Sequence, residues 1–290
     1  MSSMNAYDIL KELKEDKIHG ASYYFIRSID LISQAMSELG LDGVRPIINE
    51  LKNLRPGMAS LLTLTHIIEQ ALARGLDLND IINRLKREYY ESQNRLSVQL
   101  DGHAIRCGSN AITISYSQAV TTALTKWGKC FEDLFIMESR PGEEITEAIK
   151  KYSEFVSSIK PIPDAAIAHF IERYGINYVL VGADGLYSDG YFLNKIGTKT
   201  LMIVAREYDA EIVLIAESYK AAAGDTNYIH VMRIDVGGIT IELPLFDIVP
   251  LDLVDYLITD VGIFRKPRTK DIESMRNLFI NKVLNVGDQE

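Results

Sequence analysis

Val181-Gly-Ala-Asp184-Gly-Leu-Tyr-Ser-Asp-Gly-Tyr-Phe-Leu-Asn194-Lys195-Ile-Gly-Thr198 decides how the rest of the chain is read. An apolar, β-branched run from Tyr178 to Val181 predicts a strand, Gly182 ends it, and the chain restarts as a helix near Thr198 after a glycine-punctuated loop. Small-molecule sites in open α/β sheets lie beyond the carboxyl ends of the strands, so Asp184 stands where a carboxylate can do acid/base work. Lys195 and the backbone N–H groups following Gly197 form a second expectation. A helix N-terminus carries unpaired donors and partial positive charge, so this rim is expected to receive a phosphate. The competing reading of Asp184 is an ordinary turn or cap residue.

Working outward, the first hundred residues are helical in pattern. Apolar residues recur at helical spacing over 6–14, 21–39, 44–51, 58–73 and 79–100, with breaks at Gly20, Gly40 to Gly43, Arg55-Pro56-Gly57 and Gly75. Gly20, Ala21 and Ser22 open a long helix, whose free N–H groups are a further candidate anion site; a plain N-cap is the competing reading. From about His103 the pattern alternates. Strands are expected at 111–115, 130–137, 177–181, 211–216 and near 256–260, with a short extended piece at 159–162. Helices are expected at 117–127, 144–157, 164–174 and 198–208. The fold class is therefore α/β: a helical N-terminal domain over 1–103, then a Rossmann-like, mostly parallel open sheet over 104–290 with a helical tail. In that tail Ile272, Met275, Leu278, Phe279 and Val283 are expected to line one helix face and to pack on a partner subunit.

Composition narrows the classes. The 290 residues carry a formal charge of −9 with 47% hydrophobic and 24% charged residues, a globular balance that disfavours binding the nucleic-acid backbone as the main task. No apolar run reaches the roughly 18 residues of a membrane span, and no signal peptide is visible, so a cytoplasmic location is expected. Cys107 and Cys130 make no disulfide framework and are expected to be small buried apolar residues. The five histidines show no ligand spacing, and no structural metal is expected.

Four stretches together resemble one family: Glu138-Ser-Arg140-Pro141, the Gly-Ala-Asp184 to Asn194-Lys195-Ile-Gly-Thr198 stretch, Glu217-Ser-Tyr-Lys220, and Phe246-Asp-Ile-Val-Pro250 with Leu257-Ile-Thr-Asp-Val-Gly262. The family is that of the translation initiation factor 2B alpha, beta and delta subunits, which includes isomerases of methylthioribose-1-phosphate and ribose-1,5-bisphosphate. The resemblance implies a helical domain before a Rossmann-like one, a sugar-phosphate or nucleotide pocket, no cofactor, a homodimer or higher assembly, and an initiation factor 2 subunit as a protein partner.

In the isomerases a Thr-His-Cys stretch supplies a reactive cysteine that works with the Asp of Gly-Ala-Asp. Here Ile114 and Ser115 stand where the histidine and cysteine belong, and a serine hydroxyl is far harder to ionise than a thiol unless a base activates it. No base is evident nearby in the sequence. The Thr113, Tyr116, Ser117 order resembles the alpha regulatory subunit instead, so the resemblance implies a non-catalytic regulator. The alternative is an aldose-ketose isomerase of a sugar 1-phosphate that uses Asp184 without the cysteine. His19-Gly20-Ala21 replaces the isomerases' Arg-Gly-Ala and loses a guanidinium fork. Arg140, Asn194, Lys195 and Lys220 match the family's ligand-contacting positions; for Arg140 an ion pair with Glu138 or Glu143 competes. Finally, the stretch 227–250 is rich in apolar residues (Tyr228, Ile229, Val231, Ile239, Ile241, Leu243, Leu245) broken by Gly237-Gly238 and Pro244, and is expected to be a surface arm that dimerises.

Overall fold

The computed structural model describes residues 4–16, 18–142, 144–224, 226 and 231–285. Glu143, Tyr228 and Ile229 therefore lie outside the described residues. Four helices come first: α1 (Ala6–Glu15), α2 (Ala21–Leu54), α3 (Ala59–Ala73) and α4 (Leu78–Leu100). Within α2 two helical runs meet at Gly40, whose φ of +65° only a residue without Cβ adopts freely; the break expected there is a kink, not a loop. Asn5 and Asp77 cap α1 and α4 through their side chains.

The second half alternates β1 (Ser109–Thr113), α5 (Gln118–Trp127), β2 (Phe131–Met137), α6 (Ile145–Tyr152), β3 (Ile159–Ile162), α7 (Ile167–Tyr174) and β4 (Ile176–Val181). It continues through β5 (Gly185–Tyr187), β6 (Tyr191–Lys195), α8 (Thr198–Glu207), β7 (Glu211–Ile215), β8 (Ala221–Ala222), β9 (Val231–Val236), β10 (Ile239–Pro244), β11 (Phe246–Pro250), β12 (Tyr256–Thr259), β13 (Gly262–Arg265) and α9 (Thr269–Leu284). The main sheet runs β13-β12-β7-β4-β1-β2-β3, parallel except for the β12–β13 hairpin. This is α/β architecture as expected. Strand order reverses between β1 and β4, and that crevice is where open α/β sheets place ligands. The strands are apolar on both faces because helices cover both, and two separate buried clusters flank the sheet.

Three expectations are corrected here. The loop after Asp184 contains β5 and β6, which join β8 and β11 in a small four-stranded sheet covered on both faces: the adjacent Phe192 and Leu193, on opposite sides of β6, are both buried, in different clusters. Ile272, Met275, Phe279 and Val283 of α9 are buried within their own chain. Phe279 and Val283 enter the core of the N-terminal helices, so the apolar stripe meets an intramolecular partner, while Leu278 is exposed. Cys107 and Cys130 are bonded to each other and neither is buried; the two segments enter the β1–β2 pair side by side, Gly108 N–H donating to the Cys130 carbonyl at 2.8 Å. The stretch expected to be a surface arm is, over 231–244, a two-stranded ribbon of its own, β9 and β10, turned at Gly237-Gly238, both with positive φ. No described helix is long and apolar enough to cross a membrane.

Candidate ligand site at the strand reversal

A cavity of about 280 Å³ opens at the carboxyl ends of β1 and β4. Ile114 and Ser115 reach it from the first strand, Ala183 and Asp184 from the second, and the start of α2 closes it from the helical side. Of the residues expected to form a site, Gly20, Ala21, Ser22, Ser115, Asp184, Asn194, Lys195 and Lys220 all line this one space. Arg140 does not. Its side chain is largely exposed and pairs with Glu138 at 2.8 Å, the competing reading of that residue.

Asp184 is fixed by its backbone, which donates to the Leu193 carbonyl at 2.8 Å and accepts from Ala59 N–H at 3.1 Å. Its carboxyl touches the cavity but is surrounded by protein. Burial pushes its pKa up, and the pull of Lys220 and Lys195 and the Ala21 N–H only partly offsets this. The neutral form of Asp184 is thus favoured relative to a carboxyl in water. The two lysines are themselves nearly enclosed: Lys195 Nζ lies 2.8 Å from Glu144 and Lys220 Nζ 2.8 Å from Glu217, with both carboxylates buried. Asn194 sits behind them, its amide donating to Thr198 Oγ1 at 2.9 Å.

The first strand end carries the main surprise. Ser115 adopts φ +65°, an uncommon conformation for a residue with a side chain, and its Oγ donates to Glu144 Oε1 at 2.7 Å. The expectation that Ser115 has no base nearby is therefore wrong. Glu144 lies 29 residues away at the start of α6, and only the β2–α6 return brings it under the β1 end. The acidic Glu143-Glu144 pair following Arg-Pro-Gly was the sequence signal available for it.

The expected phosphate seat at α8 is also corrected. Gly197 N–H and Lys199 N–H both donate to Asp247 Oδ2, at 2.8 and 2.9 Å, so a carboxylate from β11 already fills the position. At the other helix end, α2 has no side-chain cap, and an added Cβ on Gly20 would lie 3.8 Å from Asp184 Oδ1. His19 stands at that rim, hydrogen-bonded to Asp16 at 2.6 Å and stacked on Tyr23. Arg55, which the sequence did not single out, lines the same wall and bonds the Tyr24 hydroxyl at 2.9 Å and the Asp16 carbonyl.

Residues 20–266 match the model of the initiation factor 2 subunit family. A putative translation initiation factor eIF-2B subunit 2-like protein of Pyrococcus furiosus is 29% identical, over 90% of this chain and 96% of its own length. A ribose 1,5-bisphosphate isomerase of Archaeoglobus fulgidus is 26% identical over 73% of each chain. Among solved structures, the translation initiation factor eIF-2B of Pyrococcus horikoshii superposes with a TM-score of 0.76 at 25% identity, covering 92% of this chain and 98% of that one.

Proposed function

The chain belongs to the initiation factor 2 subunit family, and from that premise we propose that it is a 2B-like regulatory protein that binds a phosphorylated sugar or nucleotide in the strand-reversal cavity. The observation that carries the reading is a cavity at the switch point of the sheet whose α2 rim joins an uncapped helix start to Arg55, a guanidinium bonded to neutral oxygens, above a floor lined by Lys195, Lys220 and Asp184. Relatives include both eIF-2B-like proteins and an isomerase, so family membership alone does not choose between binding and turnover. Cysteine chemistry has no support in this cavity: Ser115 occupies the strand end, and the two cysteines are joined at the opposite, amino-terminal end of β1 and β2. The likeness to the alpha subunit rests on Thr113, Tyr116 and Ser117 alone.

Thermal melts with ribose 1-phosphate, ribose 1,5-bisphosphate, 5-methylthioribose 1-phosphate and nucleoside monophosphates test the reading. A true ligand at 100 times its dissociation constant stabilises by about 2.7 kcal/mol. If no compound moves the melting temperature, the pocket reading is lost. A pull-down with an initiation factor 2 subunit tests the protein partner. The second reading, an isomerase of a sugar 1-phosphate, is favoured by one specific observation, the Ser115–Glu144 hydrogen bond.

Members of the family assemble, as the beta and delta subunits of Chaetomium thermophilum do in a tetramer. We propose a homodimer here, built on the β9–β10 ribbon. Val236, Ile234 and Met232 stand opposite Ile239, Ile241 and Leu243, so six apolar side chains share one face. The other face carries the Arg233–Glu242 ion pair. Val236, Ile239 and Ile241 are 56%, 68% and 40% exposed in the single chain. A lone two-stranded ribbon is marginal in water, and a twofold axis lets this face cover its own copy.

A further inference from the structure

The bond between Cys107 and Cys130 lies at the amino-terminal end of the β1–β2 pair, where Cys107 is exposed and Cys130 half-buried. Solvent therefore reaches it from the Cys107 side without any part of the fold opening. Each cysteine follows an exposed cation, Arg106 and Lys129, and within two residues of either cysteine the one carboxylate is Glu132. Neither cation is held in an ion pair among the described residues. The surroundings of the bond are thus positive on a chain whose formal charge is −9.

The bond is not what brings its two segments together. Gly108 N–H donates to the Cys130 carbonyl at 2.8 Å, Ser109 pairs with Phe131 in the strand ladder, and both strands lie inside the sheet between two buried clusters. Opening the bond leaves the two sulfurs side by side, and the same ladder holds them ready to close again. What the bond adds is a closed loop. Its two ends are 23 residues apart, and between them lie β1, α5 and the turn from Ile114 to Gln118 that forms one wall of the cavity.

We propose that Cys107 and Cys130 form a reversible thiol–disulfide exchange site for small anionic thiols such as glutathione, and that its redox state sets the stability of the β1–α5 unit. In the reducing direction a thiolate attacks Cys107 Sγ, and the S–S electron pair leaves with Cys130 as a thiolate. A second small thiolate attacks the outer sulfur of the mixed disulfide, and that bond pair leaves with Cys107. Two small thiols have become one small disulfide, two electrons have passed to the protein, and the two protons the thiols shed end on the cysteines. Oxidation by the small disulfide runs the same steps backward. Arg106 and Lys129 act on the rate, because they draw an anionic thiolate to the bond. The closed loop acts on stability, because it removes freedom from the unfolded chain.

The full chain, folded and without denaturant, is equilibrated with reduced or oxidised glutathione, then alkylated and weighed. Two alkylated cysteines are expected in the first case and none in the second, each state being reached within about an hour. The oxidised form should melt about 6 °C above the reduced one, the shift usual for a loop of this length in a chain of this size. Cys107→Ser with Cys130→Ser should match the reduced form and ignore glutathione, while Cys130→Ser alone should trap glutathione on Cys107. On reduction, native-state hydrogen exchange should rise over 107–130 and stay unchanged in β7 and β12. Arg106→Glu with Lys129→Glu should slow reduction by glutathione about tenfold or more relative to cysteamine, whose thiolate form is neutral overall. A bond that resists glutathione until the chain unfolds would be a permanent staple and would overturn the proposal, as would two thiols that oxidised glutathione does not join. Equal melting and equal hydrogen exchange in the two redox forms would overturn the effect on β1 and α5, and an unchanged rate ratio would overturn the preference for an anionic thiol.

Discussion

Asp247→Ala removes the carboxylate that closes the N-terminus of α8. Asp247 stands opposite Asn194 in the β11–β6 pairing, and one carboxylate oxygen takes both N–H groups that open the helix. Loss of an N-terminal cap costs about 0.5–2 kcal/mol, and an anion at a helix N-terminus contributes about 0.3–1 kcal/mol beyond it. Two bonds to one partly buried carboxylate place this site near the upper end, at about 2 kcal/mol. At roughly 2 °C per kcal/mol for a chain of this size, Asp247→Ala should melt about 4 °C below wild type. The substitution also frees two donors. Inorganic phosphate should therefore restore part of the loss in the variant and do nothing at α8 in the wild type. Asp247→Asn, which keeps an acceptor but not the charge, should fall between. Differential scanning calorimetry in phosphate-free buffer, repeated with added phosphate, reads all three. An Asp247→Ala melt within about 1 °C of wild type would refute the capping argument and return the seat to the ligand.

Three further outcomes are expected. The pKa of Asp184 is raised in the fold, so the native state binds its proton more tightly than the unfolded chain does. Stability from this group is thus largest below the ordinary carboxylate range and is lost as pH rises through the folded value; Asp184→Asn should flatten that slope in urea titrations and melt at or above wild type at neutral pH, whereas unchanged slopes would contradict it. Ile239→Lys with Ile241→Asp should give folded monomer of 32.6 kDa by light scattering, and a wild type already running at that mass at micromolar concentration removes the dimer. Arg55→Met should weaken binding of a stabilising sugar phosphate by at least about tenfold, the loss of one charge-assisted contact, and equal affinities would take Arg55 out of the site.

What the sequence made legible was whatever a short window controls. Helical spacing over 58–73 and 79–100 matches α3 and α4 within a residue, and the apolar run into Gly-Ala-Asp184 matches the end of β4. Gly237-Gly238 marked a break in the apolar stretch, and the ribbon turns there. The failures involve partners distant in the chain. Glu144 meets Ser115 across 29 residues, and Asp247 caps α8 across about 50, and no local pattern reports such a meeting. The stripe on α9 said that a face would be buried, but periodicity carries no information on which surface covers it. β5 and β6 were lost because three- and five-residue strands set among glycines look like a loop.

Charge in the cavity sets how a phosphorylated ligand lies in it. Lys195 is matched by Glu144 and Lys220 by Glu217, so the two lysines add little net positive charge to the floor. A phosphate placed there would compete with two buried carboxylates for their counter-ions, and breaking a buried pair is costly. The α2 side differs. Its helix end lacks a side-chain cap, and Arg55 is bonded to neutral oxygens, the Tyr24 hydroxyl and the Asp16 carbonyl, which leaves its charge without a carboxylate among the described residues. A guanidinium lost from position 19 of the sequence motif is in this way offset from the turn before α3. The phosphate of the proposed ligand accordingly belongs at the α2 rim, with its sugar turned toward Ser115 and Asp184 on the opposite wall of the cavity.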